Sequence, residues 1–99
     1  MDMKALMKQA NMLQKQLKKV EEELDQTEYS GSSNGVKIVI NGKNEVQSVE
    51  IDPQLLEKDN QEMLQDLILI SMNEAVKNAA ADRAQQMGAL TGGVSVPGF

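Results

Sequence analysis

The chain has 99 residues, a net charge of −5, and a single residue each of tyrosine and phenylalanine. This length suits one domain, and aliphatic and methionine side chains must build its modest core. The chain contains no cysteine and no histidine, which excludes disulfides, thiolate sites, and the most common general base and metal ligand. We therefore expect no enzymatic activity, no cofactor and no metal site.

The apolar segments of the chain are short. The longest uncharged apolar run, Leu67–Met72, falls far below the roughly 20 residues that span a bilayer. The first residues include Lys4 and Lys8 without the continuous apolar stretch of a signal peptide. We expect a cytoplasmic protein with no membrane contact and no small-molecule substrate.

Positive charge is concentrated in the first fifth of the chain. Up to Lys19 there are five lysines and one aspartate, which gives a net charge of +4, whereas the remaining five cations and fourteen acids give −9. Affinity for nucleic acid comes largely from cations placed against phosphates. The overall acidity therefore does not exclude a nucleic-acid contact at the N-terminal end.

Residues 2–27 predict a long helix that pairs with a second copy. The segment lacks Gly and Pro, and its apolar residues recur at alternating spacings of three and four, which is typical of a coiled-coil heptad. We name these residues the α1 seam: Met3, Leu6, Ala10, Leu13, Leu17, Val20 and Leu24. Because one chain offers little to cover this seam, we expect a homodimer.

Residues 28–52 change to the alternating pattern of β strands. The alternating apolar residues are Val36, Ile38, Ile40, Val49 and Ile51. Between the two runs, Asn41-Gly42 tolerates the positive φ of a tight hairpin, and Lys43–Glu45 would lengthen its loop or form a bulge. A third, short strand is expected at residues 27–30, separated from the hairpin by the turn-rich residues 31–35.

A second long helix is predicted after Pro53. Asp59, with Glu62 three residues later, is typical of an N-cap and its reciprocal acid, and Gly88 is the expected end of the helix. Its inward face comprises Leu64, Leu67, Ile68, Ser71, Ala75 and Ala79, with Asp82 after them. The prediction is one α+β domain over residues 1–88, followed by a flexible, uncharged tail over residues 89–99.

The lysines of the first helix form a face directed away from the seam. They are Lys4, Lys8, Lys15, Lys18 and Lys19. A solvated helix exterior would explain such a face without any ligand. However, Lys4, Lys8 and Lys15 have no acid at helical neighbour spacing, and Lys4 also opposes the helix dipole. The face therefore favours an anionic partner, and its length of about 22 Å can follow a DNA backbone through phosphate contacts that select little sequence.

The carboxylates near the second strand run form an alternative candidate site. Glu45, Glu50 and Asp52 could in principle act as an acid and base pair or hold a divalent metal. No histidine, lysine or glycine-rich loop converges with them in the sequence. They are interpreted as solvated strand carboxylates.

Four stretches of the sequence together carry a family resemblance. They are Met7–Met12, Val36–Gly42, Val49–Pro53 with Leu55-Leu56 after it, and Pro97–Phe99. Their order and spacing resemble the YbaB/EbfC nucleoid-associated proteins of bacteria over nearly the whole chain. The resemblance implies a helix, three strands and a helix, a tweezer-like homodimer, and DNA binding that shapes or protects the nucleoid and can influence transcription.

The resemblance also bears on the site. Carried over residue by residue, the basic contacts of the family fall on the five lysines above, with Lys77 and Arg83 as additions from the second helix. The leading hypothesis is a homodimer that binds DNA with little sequence selectivity in the nucleoid. The alternative is a non-enzymatic protein scaffold or chaperone-like holder that clasps a polypeptide between paired helices.

Overall fold

The computed structural model describes residues 2–90, which form two long helices and a three-stranded sheet. In chain order the elements are α1 (Met3–Gln26), β1 (Glu28–Ser33), β2 (Val36–Asn41), β3 (Val46–Ile51) and α2 (Gln61–Leu90), with short 3₁₀ turns at Pro53–Leu56 and Lys58–Asn60. The strands are antiparallel in the order β1-β2-β3. This arrangement confirms the predicted α+β fold class.

The first hairpin is tighter than the sequence suggested. β1 extends to Ser33, and the turn consists only of Asn34 and Gly35, whose φ angles are 41° and 100°. Positive φ at both central residues is typical of the type I′ turn, one of the two common turns of two-residue hairpins. Gly31 therefore pairs with Ile38 inside the ladder, and the prediction of a loop over residues 31–35 was wrong for its first three residues.

The second hairpin has the longer loop that was one of the two predicted alternatives, whereas its bulge lies within the strands and not at Lys43–Glu45. Four residues separate β2 from β3, and the register shifts between Val39 and Ile40. Asn44, rather than Gly42, adopts positive φ, at 63°. Gly42 is needed for a different reason, because a Cβ atom there would collide with the carbonyl oxygen of Leu24 at the end of α1.

The core lies between α2 and the first two strands. Its buried residues are Val36, Ile38 and Ile40 on β2 and Leu67, Ala75 and Ala79 on α2. Close approach is possible because small residues meet, with Gly31 of β1 directly against the backbone of Ser71 and Ala75. The buried Ser71 hydroxyl donates a 3.3 Å hydrogen bond to the carbonyl of Val36. The predicted inward face of the second helix is thus confirmed.

Both predicted ends of α2 require correction. Asp59 is not its N-cap, because it lies in the 3₁₀ turn that leads into the helix, where the backbone N–H of Gln61 donates to the carbonyl of Lys58. Gly88 does not end the helix, which continues to Leu90. Gly88 lacks the positive φ of a helix-terminating glycine. The predicted tail thus loses Ala89 and Leu90 to α2, and residues 91–99 lie outside the described residues.

α1 extends away from the rest of the fold. The molecule measures 70 × 24 × 13 Å along its principal axes. Leu24 is only 4% exposed at the base of α1, whereas every residue from Asp2 to Gln16 is exposed. α1 is therefore an arm held at its C-terminal end, where Thr27 closes the helix with a backbone hydrogen bond to Leu24.

Candidate nucleic-acid interface

The N-terminus of α1 is capped by an acid that the periodicity of the sequence does not reveal. The Asp2 carboxylate accepts a 3.1 Å hydrogen bond from the backbone N–H of Lys4, and the Asp2 carbonyl accepts one of 3.2 Å from Leu6. An aspartate cap accepts hydrogen bonds from the first backbone N–H groups of a helix, and its negative charge interacts favourably with the positive end of the helix dipole. Asp2 thus offsets the unfavourable position of Lys4 in the first turn and allows the helix to begin at Met3.

The five α1 lysines share one exposed face. Lys4, Lys8, Lys15, Lys18 and Lys19 are all exposed. Since α1 is a continuous helix, at about 100° per residue they fall within an arc of about 100° opposite the α1 seam. The structure therefore brings these residues together as the sequence predicted. We call this set the basic face.

The basic face is not neutralised by the rest of the described chain. Within residues 2–90 the structure contains one ion pair, between Arg83 and Asp25. No lysine of the basic face forms an ion pair there, including Lys18 and Lys19, although three glutamates follow them in sequence. Their charges therefore remain available to an anionic ligand.

The sign of the charge changes toward the base of α1. An open polar cleft at the base is lined by Glu22, Asp25, Gln26, Glu28, Asn41, Lys43, Glu45 and Gln47. Four of these eight residues are acids and one is a lysine. The cleft is therefore unfavourable for phosphate groups, whereas the outer part of α1 is favourable for them.

The two cations expected on α2 occupy different environments. Lys77 is exposed on the helix surface. Arg83 is half-buried, and its guanidinium donates to the Asp25 carboxylate at 2.9 Å and to the Gly42 carbonyl at 3.2 Å. Arg83 therefore joins α2 to the base of α1 and to the second hairpin loop. Its guanidinium helps to hold the base of α1 against the rest of the fold. The basic face lies closer to the N-terminal end of α1.

The α1 seam is divided between exposed and covered residues. Met3 is 74% exposed, Leu6 42% and Leu13 37%, and Ala10 is also exposed. Leu17 and Val20 are half-buried, and Leu24 is buried within the chain. An uncovered apolar stripe therefore runs along the outer arm on the side opposite the basic face, while the base of the seam packs within the chain.

The strand carboxylates of the alternative candidate site have local partners. Glu45 accepts a 2.8 Å hydrogen bond from the Asn41 amide, and Asp52 accepts one of 3.0 Å from the backbone N–H of Gln54. Within residues 2–90 no group of three acids is placed to hold a metal ion. No helix in that range is long and apolar enough to cross a membrane.

Comparison with known proteins identifies relatives over nearly the full length. A family model described as the YbaB/EbfC DNA-binding family matches residues 1–94. A nucleoid-associated protein of Clostridium novyi is 44% identical, with 100% of this chain and 89% of that protein covered. One of Caldanaerobacter subterraneus is 42% identical, with 95% and 86% covered.

The fold also has a solved relative. A crystal structure of an uncharacterized protein of Helicobacter pylori superposes with a TM-score of 0.76. It covers 92% of this chain and 98% of the other at 22% identity. This likeness concerns the fold alone.

Proposed function

Because the chain belongs to the YbaB/EbfC DNA-binding family, we propose that it binds DNA through the basic face of α1 and acts in the bacterial nucleoid. One observation carries the proposal: five exposed lysines lie on one side of a projecting helix, with no ion-pair partner within residues 2–90. Such a face gains little for the stability of a single chain. The unpaired positive charges of the basic face are suited to contact with the phosphates of DNA.

The proposed contact has little sequence selectivity. From Lys4 to Lys19 the helix rises about 22 Å, comparable with six or seven base pairs of duplex. Lysine reaches phosphate as a point charge, whereas sequence is read mainly by groups that bind base edges in pairs. The side chains that could approach bases are amides, at Gln9, Asn11, Gln14 and Gln16. The arm is therefore expected to follow the backbone and to tolerate different sequences.

The proposed active form is a homodimer joined along the exposed part of the α1 seam. Met3, Leu6 and Leu13 provide apolar surface that a second arm can cover. Lysines opposite the seam remain outward in such a pair, so the dimer presents two basic faces. By occupying DNA in this way the protein would shape or protect the nucleoid and influence transcription. Lys77 can add a contact from α2.

A series of gel shifts at increasing ionic strength tests the proposal. If Lys4, Lys8 and Lys15 of both copies contact phosphates, the slope of log K against log salt is near −5, at about −0.9 per phosphate. Unrelated duplexes should bind with similar affinity. The absence of binding at low salt would reject the proposal, and salt-independent capture of an unfolded polypeptide would favour the scaffold hypothesis instead.

A further inference from the structure

The outer part of α1 acts as a lever on its junction with the rest of the fold. Within α1, the half-buried or buried residues are Leu17, Val20, Leu24 and Asp25, all in its C-terminal half. At about 1.5 Å per residue, Lys4 lies roughly 30 Å along the helix from Leu24. A rotation of about 20° at the junction would move Lys4 by about 10 Å, which is comparable with the screening length at physiological ionic strength. The direction of α1 therefore decides where the basic face lies.

One side chain of α2 contacts both α1 and the second hairpin loop. Nη2 of Arg83 donates a hydrogen bond of 2.9 Å to the Asp25 carboxylate near the end of α1, and one of 3.2 Å to the Gly42 carbonyl in the loop. The Arg83 and Asp25 side chains are 36% and 32% exposed, so the ion pair between them is partly shielded from solvent. We call Arg83, Asp25 and Gly42 the arm junction.

The loop in the arm junction is itself held in place. The Asn41 side-chain carbonyl accepts hydrogen bonds from the backbone N–H groups of Lys43 at 2.9 Å and Glu45 at 3.0 Å. Gly42 lies so close to the Leu24 carbonyl that a Cβ atom has no room there. The Gly42 carbonyl is therefore presented by a fixed loop, and the guanidinium ties α1 to that loop as well as to α2.

The polar contacts of the arm junction constrain the direction of α1 in a way that its apolar contacts do not. The burial of Leu24 favours contact with the core, but the hydrophobic effect is non-directional. Hydrogen bonds have a preferred geometry, and the planar guanidinium of Arg83 presents its donors in a fixed fork. Leu24 therefore attaches α1 to the fold, whereas Arg83 aligns it.

We propose that Arg83 is a positioning residue for DNA binding: it holds α1 in the direction in which the basic face meets DNA, without touching DNA itself. The proposal rests on the DNA contact proposed above. The family resemblance instead places Arg83 among the direct contacts. However, its guanidinium already serves two acceptors of the chain, and a phosphate could take it only by separating it from Asp25. An arm with a fixed direction loses less conformational freedom on binding, which favours affinity.

Removal of the whole ion pair tests this role without changing the net charge. In Asp25→Ala/Arg83→Ala one acid and one cation are lost together, and fluorescence anisotropy with a labelled duplex measures binding. We expect DNA affinity to fall by about threefold to tenfold, because the arm must be ordered on binding. The slope of log K against log salt should stay that of the unchanged protein, because no phosphate contact is lost. A slope flattened by about 0.9 or more would show that Arg83 contacts phosphate and would overturn the proposal.

The single variant Asp25→Ala separates the two roles by the sign of its effect. It makes the chain more positive by one charge and releases Arg83, so a direct contact predicts tighter binding and a steeper salt slope. The positioning role predicts weaker binding despite the added positive charge. Glu22→Ala is the matched control, because Glu22 is exposed on the same helix and lines the same cleft, and it should bind DNA slightly more tightly. Binding by Asp25→Ala as tight as that of this control would overturn the proposal.

The direction of the arm can be measured in the absence of DNA. The chain has no cysteine, so spin labels at Ala5→Cys on α1 and Ser32→Cys on β1, both exposed positions, report one distance. Dilution with unlabelled protein restricts this distance to a single chain. Its distribution should be broader in Asp25→Ala/Arg83→Ala than in the unchanged protein or in Glu22→Ala. Distributions of equal width would overturn the proposal.

Circular dichroism at the assay temperature checks that each variant is folded. If the double variant unfolds, Asp25→Asn makes the same comparison, since it keeps the size of the side chain and removes its charge, with Glu22→Gln as its control. A failure of the unchanged protein to bind DNA would overturn the proposed function, and the positioning role with it. Binding by the unchanged protein, with equal affinity in the folded junction variants, would overturn the positioning role alone.

Discussion

The phenol hydroxyl of Tyr29 donates a 2.6 Å hydrogen bond to the carboxylate of Asp82. The two residues are 53 positions apart, so the bond joins the first strand to the outer part of the last helix. Arg83, which follows Asp82 in the sequence, donates a hydrogen bond to Asp25. These neighbouring contacts fix the end of the sheet from which the α1 arm projects.

Tyr29→Phe is expected to lower the free energy of unfolding by about 1–2 kcal/mol at neutral pH, because it removes a hydrogen bond to a charged acceptor while keeping the packing of the ring. Urea denaturation followed by circular dichroism measures the change. Asp82→Asn is the matched variant, since it keeps an acceptor for the hydroxyl, and it should cost less. A decrease of similar size in both variants would assign the effect to the charge of Asp82 instead.

The same contact makes part of the stability sensitive to alkali. Burial, and then the hydrogen bond and negative charge of Asp82, raise the pKa of Tyr29 above its ordinary value of 10.0. A raised pKa means that the unfolded chain loses the phenol proton first, so this contribution is complete below pH 10 and is lost as pH rises further. The stability difference between the unchanged protein and Tyr29→Phe should therefore shrink above pH 10.

Because Tyr29 is the only tyrosine and there is no tryptophan, its ionisation can be followed directly by absorbance. The folded protein should titrate at higher pH than the chain in urea. Equal titration midpoints in the folded and the urea-unfolded protein would contradict the raised pKa of Tyr29.

Replacing Lys4, Lys8 and Lys15 together with Ala should weaken DNA binding and flatten its salt slope by about 0.9 for each phosphate that is no longer neutralised. Unrelated duplexes should lose affinity about equally, since phosphate contacts do not select bases. The variant should fold normally, because alanine is a stronger helix former and the repulsion between Lys4 and Lys8 is removed. Fluorescence anisotropy with labelled duplexes provides the measurement.

The matched control for this variant is Lys37→Ala/Lys43→Ala/Lys58→Ala. It removes three lysines that lie outside α1 and changes the net charge equally. An equal decrease of affinity in both triple variants would show that overall charge governs binding. If neither variant binds more weakly, the contact lies elsewhere, with Lys77 next to be tested.

Gly31→Ala and Gly88→Ala should have opposite effects on stability. A Cβ atom on Gly31 would meet the backbone nitrogen of Ala75 at 2.6 Å, so α2 and β1 must separate at a cost of about 1–3 kcal/mol. At Gly88 a Cβ atom meets nothing within 4 Å, and alanine favours a helix over glycine by about 0.5–1 kcal/mol. In thermal unfolding experiments, the midpoint temperature of Gly31→Ala should be lower than that of the unchanged protein, and that of Gly88→Ala should be higher.

The periodicity of apolar residues is sufficient to predict most of the fold. The spacing of Leu6, Leu13 and Val20 predicts α1, and the alternation around Ile38 predicts the central strand. The extent of β1 is not predictable in this way, because Gly31 and its two following serines resemble a loop. Their place in the sheet depends on pairing with β2 and on the close approach of α2, neither of which is visible in local sequence.

The candidate site is likewise only partly predictable from the sequence. The shared face of the five lysines follows from helical geometry once α1 is recognised. The role of Arg83 does not, because its carboxylate partner, Asp25, is 58 positions away and no local pattern connects them. The division of the seam into exposed and buried residues also depends on tertiary packing, since Leu24 has the same heptad position as Met3 but is buried within the chain.

Amide hydrogens along α1 are expected to exchange with solvent at graded rates. Residues 2–16 are all exposed, and a helix of this length held mainly by its own hydrogen bonds is marginal in water. The cost of local opening should therefore be small near Lys4 and rise toward the global value near Leu24. Pairing of arms or contact with DNA should slow exchange most at the outer end, where helix formation and binding then become a single thermodynamic event.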